Sequence, residues 1–265
     1  MIIPAASPVA FSLPGLPIYW YGIIMACAIL VAVLLSNKLF NLHNPEKKDF
    51  VLSIAPIFIV AGIIGARLYF CTLNFSYYIE HPLEILDIRQ GGLSIHGALI
   101  FGILTLIIAS YKKSISFLKV FDALACGTIL GQAIGRWGNY FNSEAYGLPV
   151  AGQGWGLYIP EKYRITQYFD YELFHPTFLY ESVLNLLVFF VLLYLFKRFN
   201  RNYVGITFFS YLILYPIIRF FIEQIRVDSA LNLGSIPIAQ VVSLVLFVVG
   251  FVGVFIIIKT NKKAE

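Results

Sequence analysis

Three short stretches concentrate the residues able to do chemistry. The densest is Gly135-Arg136-Trp137-Gly138-Asn139-Tyr140-Phe141-Asn142-Ser143-Glu144, continuing to Gly147. Its glycines let the backbone bend and approach a ligand, Arg136 brings a permanent charge, and Asn139 and Asn142 add neutral donors and acceptors. Gly91-Gly92-Leu93-Ser94-Ile95-His96-Gly97 sets a single imidazole at a flexible helix start, where it serves equally well as a hydrogen-bonded structural group or a proton acceptor. In His175-Pro176-Thr177-Phe178-Leu179-Tyr180-Glu181, Pro176 suits the first helical position and Glu181 the first turns, so capping and packing explain this stretch without catalysis. Farther on, Arg219, Glu223 and Arg226 stand at i, i+4 and i+7 and share one helical face.

Other chemistries find little here. Gly152-Gln153-Gly154-Trp155-Gly156 lacks the GK[ST] that follows in a phosphate-binding loop, and neither HExxH nor GxSxG occurs. The 4 histidines are scattered, and Cys27, Cys71 and Cys126 have no CxxC spacing. No metal site, cofactor or disulfide frame is expected, and the cysteines read as small core residues.

The elements that must position these residues are set by the solvent. The chain is 59% apolar and 12% charged over 265 residues, with a mean hydropathy of +0.81, whereas soluble domains carry about a quarter charged residues. Apolar runs near 17–37, 51–70, 92–110, 117–136, 177–196, 203–225 and 236–258 each approach the ~20 residues that cross a bilayer core. The fold class expected is all-α, a polytopic transmembrane bundle of about seven spans. It forms a single membrane domain over 1–265, with a small extracytoplasmic head at 137–176, a connection long enough to be functional.

No basic residue precedes the first run, so it should be retained with the N-terminus outside. The inner loops and tail then hold Lys47, Lys48, Lys112, Lys113, Lys197, Arg198, Lys262 and Lys263, the outer loops mostly acids, and the C-terminus is cytoplasmic. The net charge of +5 therefore belongs to loops facing anionic lipid and gives no reason to invoke nucleic acid. Gly127, Gly131 and Gly135 present one small face for a neighbouring helix, and Pro216 predicts a kink in the sixth span.

On this topology Tyr21, Arg67, His96, Arg136, Asn139, His175, Tyr180, Glu181, Arg219, Glu223 and Arg226 converge on the outer half of the membrane. Ionisable groups at that depth face protein or a water-filled cavity. Several cations at one level, with few carboxylates to meet them, imply a bound anion, and a lipid phosphate suits the guanidinium fork. A transporter or flippase for an anionic lipid would want the same features but predicts polar access from both faces and an inverted repeat, which the sequence does not present. A structural scaffold would leave the embedded arginines without a purpose.

The same residues carry a resemblance. Positions 135–144 meet the pattern Gly-Arg-x-Gly-Asn-(Phe/Tyr)-x-Asn-x-Glu, and with GGLSIHG, HPTFLYE and Glu223-x-x-Arg226-x-Asp228 in order the chain resembles the bacterial prolipoprotein diacylglyceryl transferase family from Tyr19 to about Asp228. The resemblance implies an enzyme of the bacterial cytoplasmic (inner) membrane. It would transfer the diacylglyceryl group of phosphatidylglycerol to the lipobox cysteine of a prolipoprotein signal peptide, forming a thioether and releasing glycerol 1-phosphate. The thiol would come from the substrate, and its unperturbed pKa near ~8.5 calls for a base. His96 is the first candidate and Glu144 the alternative. Arg136 and Arg226 would neutralise the leaving phosphate, and Tyr21, Asn139, Glu144, Gly147, Tyr180 and Glu223 would bind and position the lipid.

Overall fold

The computed structural model describes residues 2–87, 91–150, 155–227, 232–233 and 236–261. Asp228 and Gly152–Gly154, singled out in the sequence, lie outside the described residues. Seven of the described helices are long and apolar enough to cross a membrane. They are α1 (Trp20–His43), α2 (Phe50–Leu73), α4 (Ile95–Lys112), α5 (Phe117–Asn142), α6 (Thr177–Phe199), α7 (Ile206–Ile225) and α8 (Ile238–Asn261), while α3 (Phe75–Glu80) is a short helix after α2. At ~1.5 Å of rise per residue, the 24 residues of α2 reach about 36 Å, enough for a hydrocarbon core with some tilt. The fold is an all-α polytopic bundle, as expected, with the expected number of spans.

The helices differ from the apolar runs at their ends. The first run begins inside a strand: β2 (Val9–Leu13) and β3 (Leu16–Tyr19) form an antiparallel hairpin closed by Gly15 at φ 75°, and α1 starts only at Trp20. The fourth run continues as helix through Asn142, carrying Arg136, Gly138 and Asn139 on α5 itself.

The chain divides into two compact units, residues 1–36 with 122–265, and residues 37–121. In the first, the glycine face of α5 meets α1. A Cβ at Gly131 would lie 3.2 Å from the Ala28 carbonyl oxygen, one at Gly135 3.3 Å from Met25 Sδ, and one at Gly127 would collide with Ala32 and Ser36. Asp122, fully buried on α5, caps α7 across the chain. Its carboxylate accepts from the backbone N–H of Gly205 at 2.5 Å and of Phe208 at 2.8 Å, and from the Asn200 amide. Those backbone donors belong to the start of α7, which has no helical partner for them, so a carboxylate from a neighbouring helix answers both the orphan N–H groups and the helix dipole.

The part of this unit outside the long apolar helices has its own core. β1 (Ile2–Ile3), β4 (Gly156–Tyr158) and β5 (Leu173–Phe174) form a three-stranded sheet in the order β1-β4-β5, over which Tyr146, Leu157, Ile159, Phe174 and Phe178 are buried. The N-terminal residues are therefore part of this head, and the Tyr140 hydroxyl donates to the Pro4 carbonyl at 2.9 Å. Two further short strands, β6 (Asn232–Leu233) and β7 (Ile236–Pro237), pair antiparallel ahead of α8.

In the second unit α2 and α4 approach closely through Gly65 and Gly97, where a Cβ on Gly65 would lie 2.6 Å from the Gly97 carbonyl oxygen. The loop between them is organised by Arg67, 7% exposed. Its guanidinium donates to the carbonyls of Ile85 at 2.9 Å, Glu84 at 2.5 Å, Asp87 at 2.8 Å, Gly91 at 3.1 Å and Gly92 at 3.0 Å. Gly91 and Gly92 both have positive φ, and any side chain at 92 would strike the guanidinium.

Candidate active site

The signature stretch ends α5 and turns sharply. Ser143 and Ala145 both adopt the left-handed conformation, at φ 52° and 55°, flanking Glu144. Side chains other than glycine, Asn or Asp pay for that conformation, so the surroundings must hold it. They do: Ser143 N–H donates to the Tyr140 carbonyl at 3.1 Å, Glu144 N–H to Asn139 at 3.1 Å, and the buried Thr177 hydroxyl donates to the Ala145 carbonyl. The turn aims Glu144 back at the end of its own helix. Asn139 Nδ2 donates to Glu144 Oε1 at 2.9 Å and Asn142 Nδ2 to the same oxygen at 3.3 Å, while Arg136 Nη1 reaches Asn139 Oδ1 at 3.4 Å. Arg136, Asn139 and Glu144 thus form one polar row, with both amides stabilising the carboxylate.

This row borders a cavity of about 750 Å³ lined by Tyr19, Tyr21, Asn142, Glu144, Tyr146 and Tyr163 among others. Tyr21 packs its ring over Gly138, where a Cβ would lie 2.8 Å from Tyr21 Cδ2, and stands within electrostatic reach of both Glu144 and Arg136. Tyr146 fixes the far wall: its hydroxyl donates to the Tyr163 carbonyl at 2.9 Å and accepts from Ile165 N–H at 3.0 Å.

Gly147 joins the turn to the end of α7. Its N–H donates to the His175 carbonyl at 2.9 Å, Leu148 N–H donates to Ile225 at 2.7 Å, and Gly147 bridges Arg226 in antiparallel fashion. A Cβ at 147 would lie 2.8 Å from His175 Cβ, so only glycine lets the three segments meet. Arg226, the residue after α7, is thereby held by backbone pairing beside the signature turn. On the other side of that turn His175 Nδ1 and the Tyr180 hydroxyl share a hydrogen bond of 3.1 Å, with Trp155 stacked over Tyr180 at 6.2 Å between ring centroids.

Beneath the row runs a chain of ion pairs. Arg136 Nη2 lies 2.5 Å from Glu181 Oε1, Arg219 Nη1 lies 3.8 Å from Glu181 Oε2, and Arg219 Nη2 lies 2.5 Å from Glu223 Oε2. Glu181 is 1% exposed and Glu223 5%. This corrects the sequence argument that cations outnumber carboxylates at this level. Arg136 and Arg219 are balanced by Glu181 and Glu223, and Arg67 spends its donors on five backbone carbonyls. Glu181, assigned to capping and packing from the sequence although counted there among the polar residues converging on the outer half of the membrane, is the carboxylate shared by two arginines.

Tyr21, Arg136, Asn139, Glu144, Gly147, Tyr180, Glu223 and Arg226 therefore all lie in the first unit, linked by the contacts above. His96 lies in the second. It is exposed in the first turn of α4, its ring 6.0 Å from that of Tyr69, and its approach to the chain is set by Ser94 N–H donating to the Ala66 carbonyl at 3.0 Å beside the Arg67-bound loop. Among the described residues no group of His, Cys, Asp or Glu is arranged to hold a metal ion.

A family model described as prolipoprotein diacylglyceryl transferase matches residues 8–256. The chain belongs to the prolipoprotein diacylglyceryl transferase family. Among relatives named phosphatidylglycerol–prolipoprotein diacylglyceryl transferase, that of Clostridioides difficile is 43% identical over 254 residues, covering 96% of each chain. That of Clostridium novyi is 42% identical over 260 residues, 97% of each, and that of Parasynechococcus marenigrum 42% over 260 residues, 94% of this chain and 92% of its own. The prolipoprotein diacylglyceryl transferase match thus takes in the signature turn, α6 with Glu181, and α7 with Arg219, Glu223 and Arg226.

Proposed function

We propose that the protein transfers the diacylglyceryl group of phosphatidylglycerol to the lipobox cysteine thiol of a prolipoprotein, the first step of bacterial lipoprotein maturation. The observation that carries this reading is the near full-length family relationship, with the family's polar residues gathered around Arg136 and Glu144 beside a cavity large enough for a lipid head. The protein is read as residing in the bacterial cytoplasmic membrane with its N-terminus outside, its C-terminus cytoplasmic, and the site at the level of the outer leaflet. There a secreted precursor is still anchored by its uncleaved signal helix. The head at 137–176 forms with the spans a single membrane domain.

In the reaction the cysteine sulfur forms a bond to the glycerol carbon that carries the phosphate ester, and the C–O bond to phosphate breaks. Its electron pair leaves with glycerol 1-phosphate. The thiol proton passes first to a base, His96 in our reading, with Glu144 as the alternative, and the negative charge grows on the departing phosphate. Arg136 and Arg226 neutralise that charge, each such preorganised contact contributing on the order of 10²–10³ in rate. Tyr21, Asn139, Glu144, Gly147, Tyr180 and Glu223 shape the lipid-binding site around them.

The test is incubation of the purified protein with phosphatidylglycerol and a lipobox peptide, scored by mass spectrometry, with a peptide bearing serine in place of cysteine as control. Addition of a diacylglyceryl group to the cysteine peptide alone is the expected result. No adduct from a folded, lipid-binding sample would overturn the assignment.

A further inference from the structure

The charged groups under the signature turn are balanced within the fold, and this raises the question of how a phosphate competes for them. Arg136 and Arg219 share one seam with Glu181 and Glu223, each carboxylate within ion-pair distance of at least one guanidinium. Glu181 is the most deeply buried of the four at 1% exposed, while the Arg136 and Arg219 side chains keep 20% and 17% of their surface accessible. The cations are thus reachable and the bridging anion is not. The two contacts of Glu181 are also unequal, 2.5 Å to Arg136 and 3.8 Å to Arg219, and neither Glu181 Oε1 nor Arg219 Nη1 has a partner in hydrogen-bond geometry. Directly below, Asn185 is fully buried on the same face of α6, one turn from Glu181, with both polar atoms lacking a protein partner. The seam around Glu181 is therefore polar yet incompletely paired, which leaves its carboxylate room to change partner.

We propose that Glu181 is a positioning residue that acts as an internal counter-anion: its carboxylate competes with phosphate for Arg136 and Arg219, and so weakens binding of the lipid head and of the released glycerol 1-phosphate. The inference rests on the transferase reading and deepens it. When phosphate engages Arg136, Glu181 shifts toward Arg219 and closes the loose contact. When glycerol 1-phosphate leaves, Glu181 returns to Arg136. Two buried arginines facing a phosphate dianion without this carboxylate would hold product tightly. Affinity shared by ground state and product adds nothing to turnover and slows release.

The experiment is glycerol 1-phosphate binding by calorimetry on the full chain in phosphatidylglycerol-free lipid nanodiscs, together with thioether formation in nanodiscs of graded phosphatidylglycerol content. Glu181→Gln removes the charge and keeps the shape. Glycerol 1-phosphate affinity should rise about tenfold or more, because one charge at this distance in a partly buried site is worth at least that. The KM for phosphatidylglycerol should fall along with kcat. A residue that merely holds Arg136 in place would instead raise KM or leave it unchanged while lowering kcat, and unchanged or weaker product affinity overturns the proposal. Glu181→Asp, which keeps the charge, should leave product affinity within about twofold. Should Glu181→Gln not fold, Arg219→Gln gives the reverse reading: with one cation fewer, product affinity should drop about tenfold, and no change overturns the proposal. If wild-type protein binds glycerol 1-phosphate but makes no thioether, the transferase reading fails, while the effect of Glu181→Gln on that affinity still decides the role of Glu181.

Discussion

Arg67 and Arg136 are both arginines set near the ends of apolar helices, and the sequence presents them alike. Arg67 directs its guanidinium at five backbone carbonyls of a single loop, next to glycines whose conformation that loop requires. Arg136 meets a buried carboxylate, a side-chain amide and the Tyr215 hydroxyl, keeps part of its surface open, and is linked through Asn139 to Glu144 on the wall of a large cavity. The first cation is consumed by structure, and the second is held at the edge of the proposed site. A buried arginine in a membrane protein is thus informative about function only once its acceptors are known. Carbonyls fixed by the fold leave nothing for a ligand, whereas a mobile carboxylate leaves a place an anion can take.

Substitutions can break or sharpen this contrast. The largest effect is expected at the site: Arg136→Lys should lower thioether formation by on the order of 10²–10³ at unchanged melting temperature, since a point charge cannot replace a planar fork. At Arg67 the expectation reverses. Arg67→Lys should cost about 3 kcal/mol of stability, by leaving several buried carbonyls unpaired, with any loss of turnover following the loss of folded protein. Chemical denaturation beside single-turnover rates separates the two; a stable but inactive Arg67→Lys would erase the contrast.

Asp122 extends the structural side of the comparison, as a buried carboxylate consumed by backbone N–H groups. Asp122→Ala should destabilise by about 2–4 kcal/mol, with α7 protected less from hydrogen exchange, because the donors at Gly205 and Phe208 would lose their acceptor. Ser143→Gly is expected to stay within about 1 kcal/mol of wild type, since relief of the left-handed backbone offsets the added chain freedom; a larger loss would mean that the Ser143 side chain holds the turn.

The smallest effect concerns the segment that Arg67 gathers. There the Tyr77 hydroxyl donates to Glu84 at 2.7 Å, which raises the Tyr77 pKa above its ordinary value, the hydrogen bond first and burial second. A raised folded value stabilises below the unfolded pKa of about 10, and the gain is lost as pH rises through the folded value. The difference in melting temperature between wild type and Tyr77→Phe should therefore be constant from pH 7 to 9 and disappear above that range. A difference that grows with pH would contradict the hydrogen bond.

Much of this was legible in the sequence, for identifiable reasons. The seven spans follow from runs of apolar residues, which depend on composition alone. The signature turn could be read because its residues lie within a dozen positions and their types match one task. What escaped was pairing at long range. Glu181 looked like a helix-start acid until α5 and α7 brought Arg136 and Arg219 to it from 45 and 38 positions away. Asp122 gave no sign of capping a helix more than 80 residues downstream. The N-terminal strand that joins the head is only two residues long, too short for a periodicity to reveal. The excess of cations inferred from counting failed for the same reason: charge balance in a membrane protein is set by which side chains meet, and counting along the chain does not say that.

The central claim is that Arg136 faces the phosphate while Arg67 holds the fold. Its most direct test is the single-turnover rate of thioether formation for Arg136→Lys and Arg67→Lys, each normalised to folded protein and run at saturating phosphatidylglycerol. The account predicts a rate for Arg136→Lys lower by about two orders of magnitude or more, and a rate for Arg67→Lys within about threefold of wild type. Equal losses in the two variants, or a fully active Arg136→Lys, would contradict it.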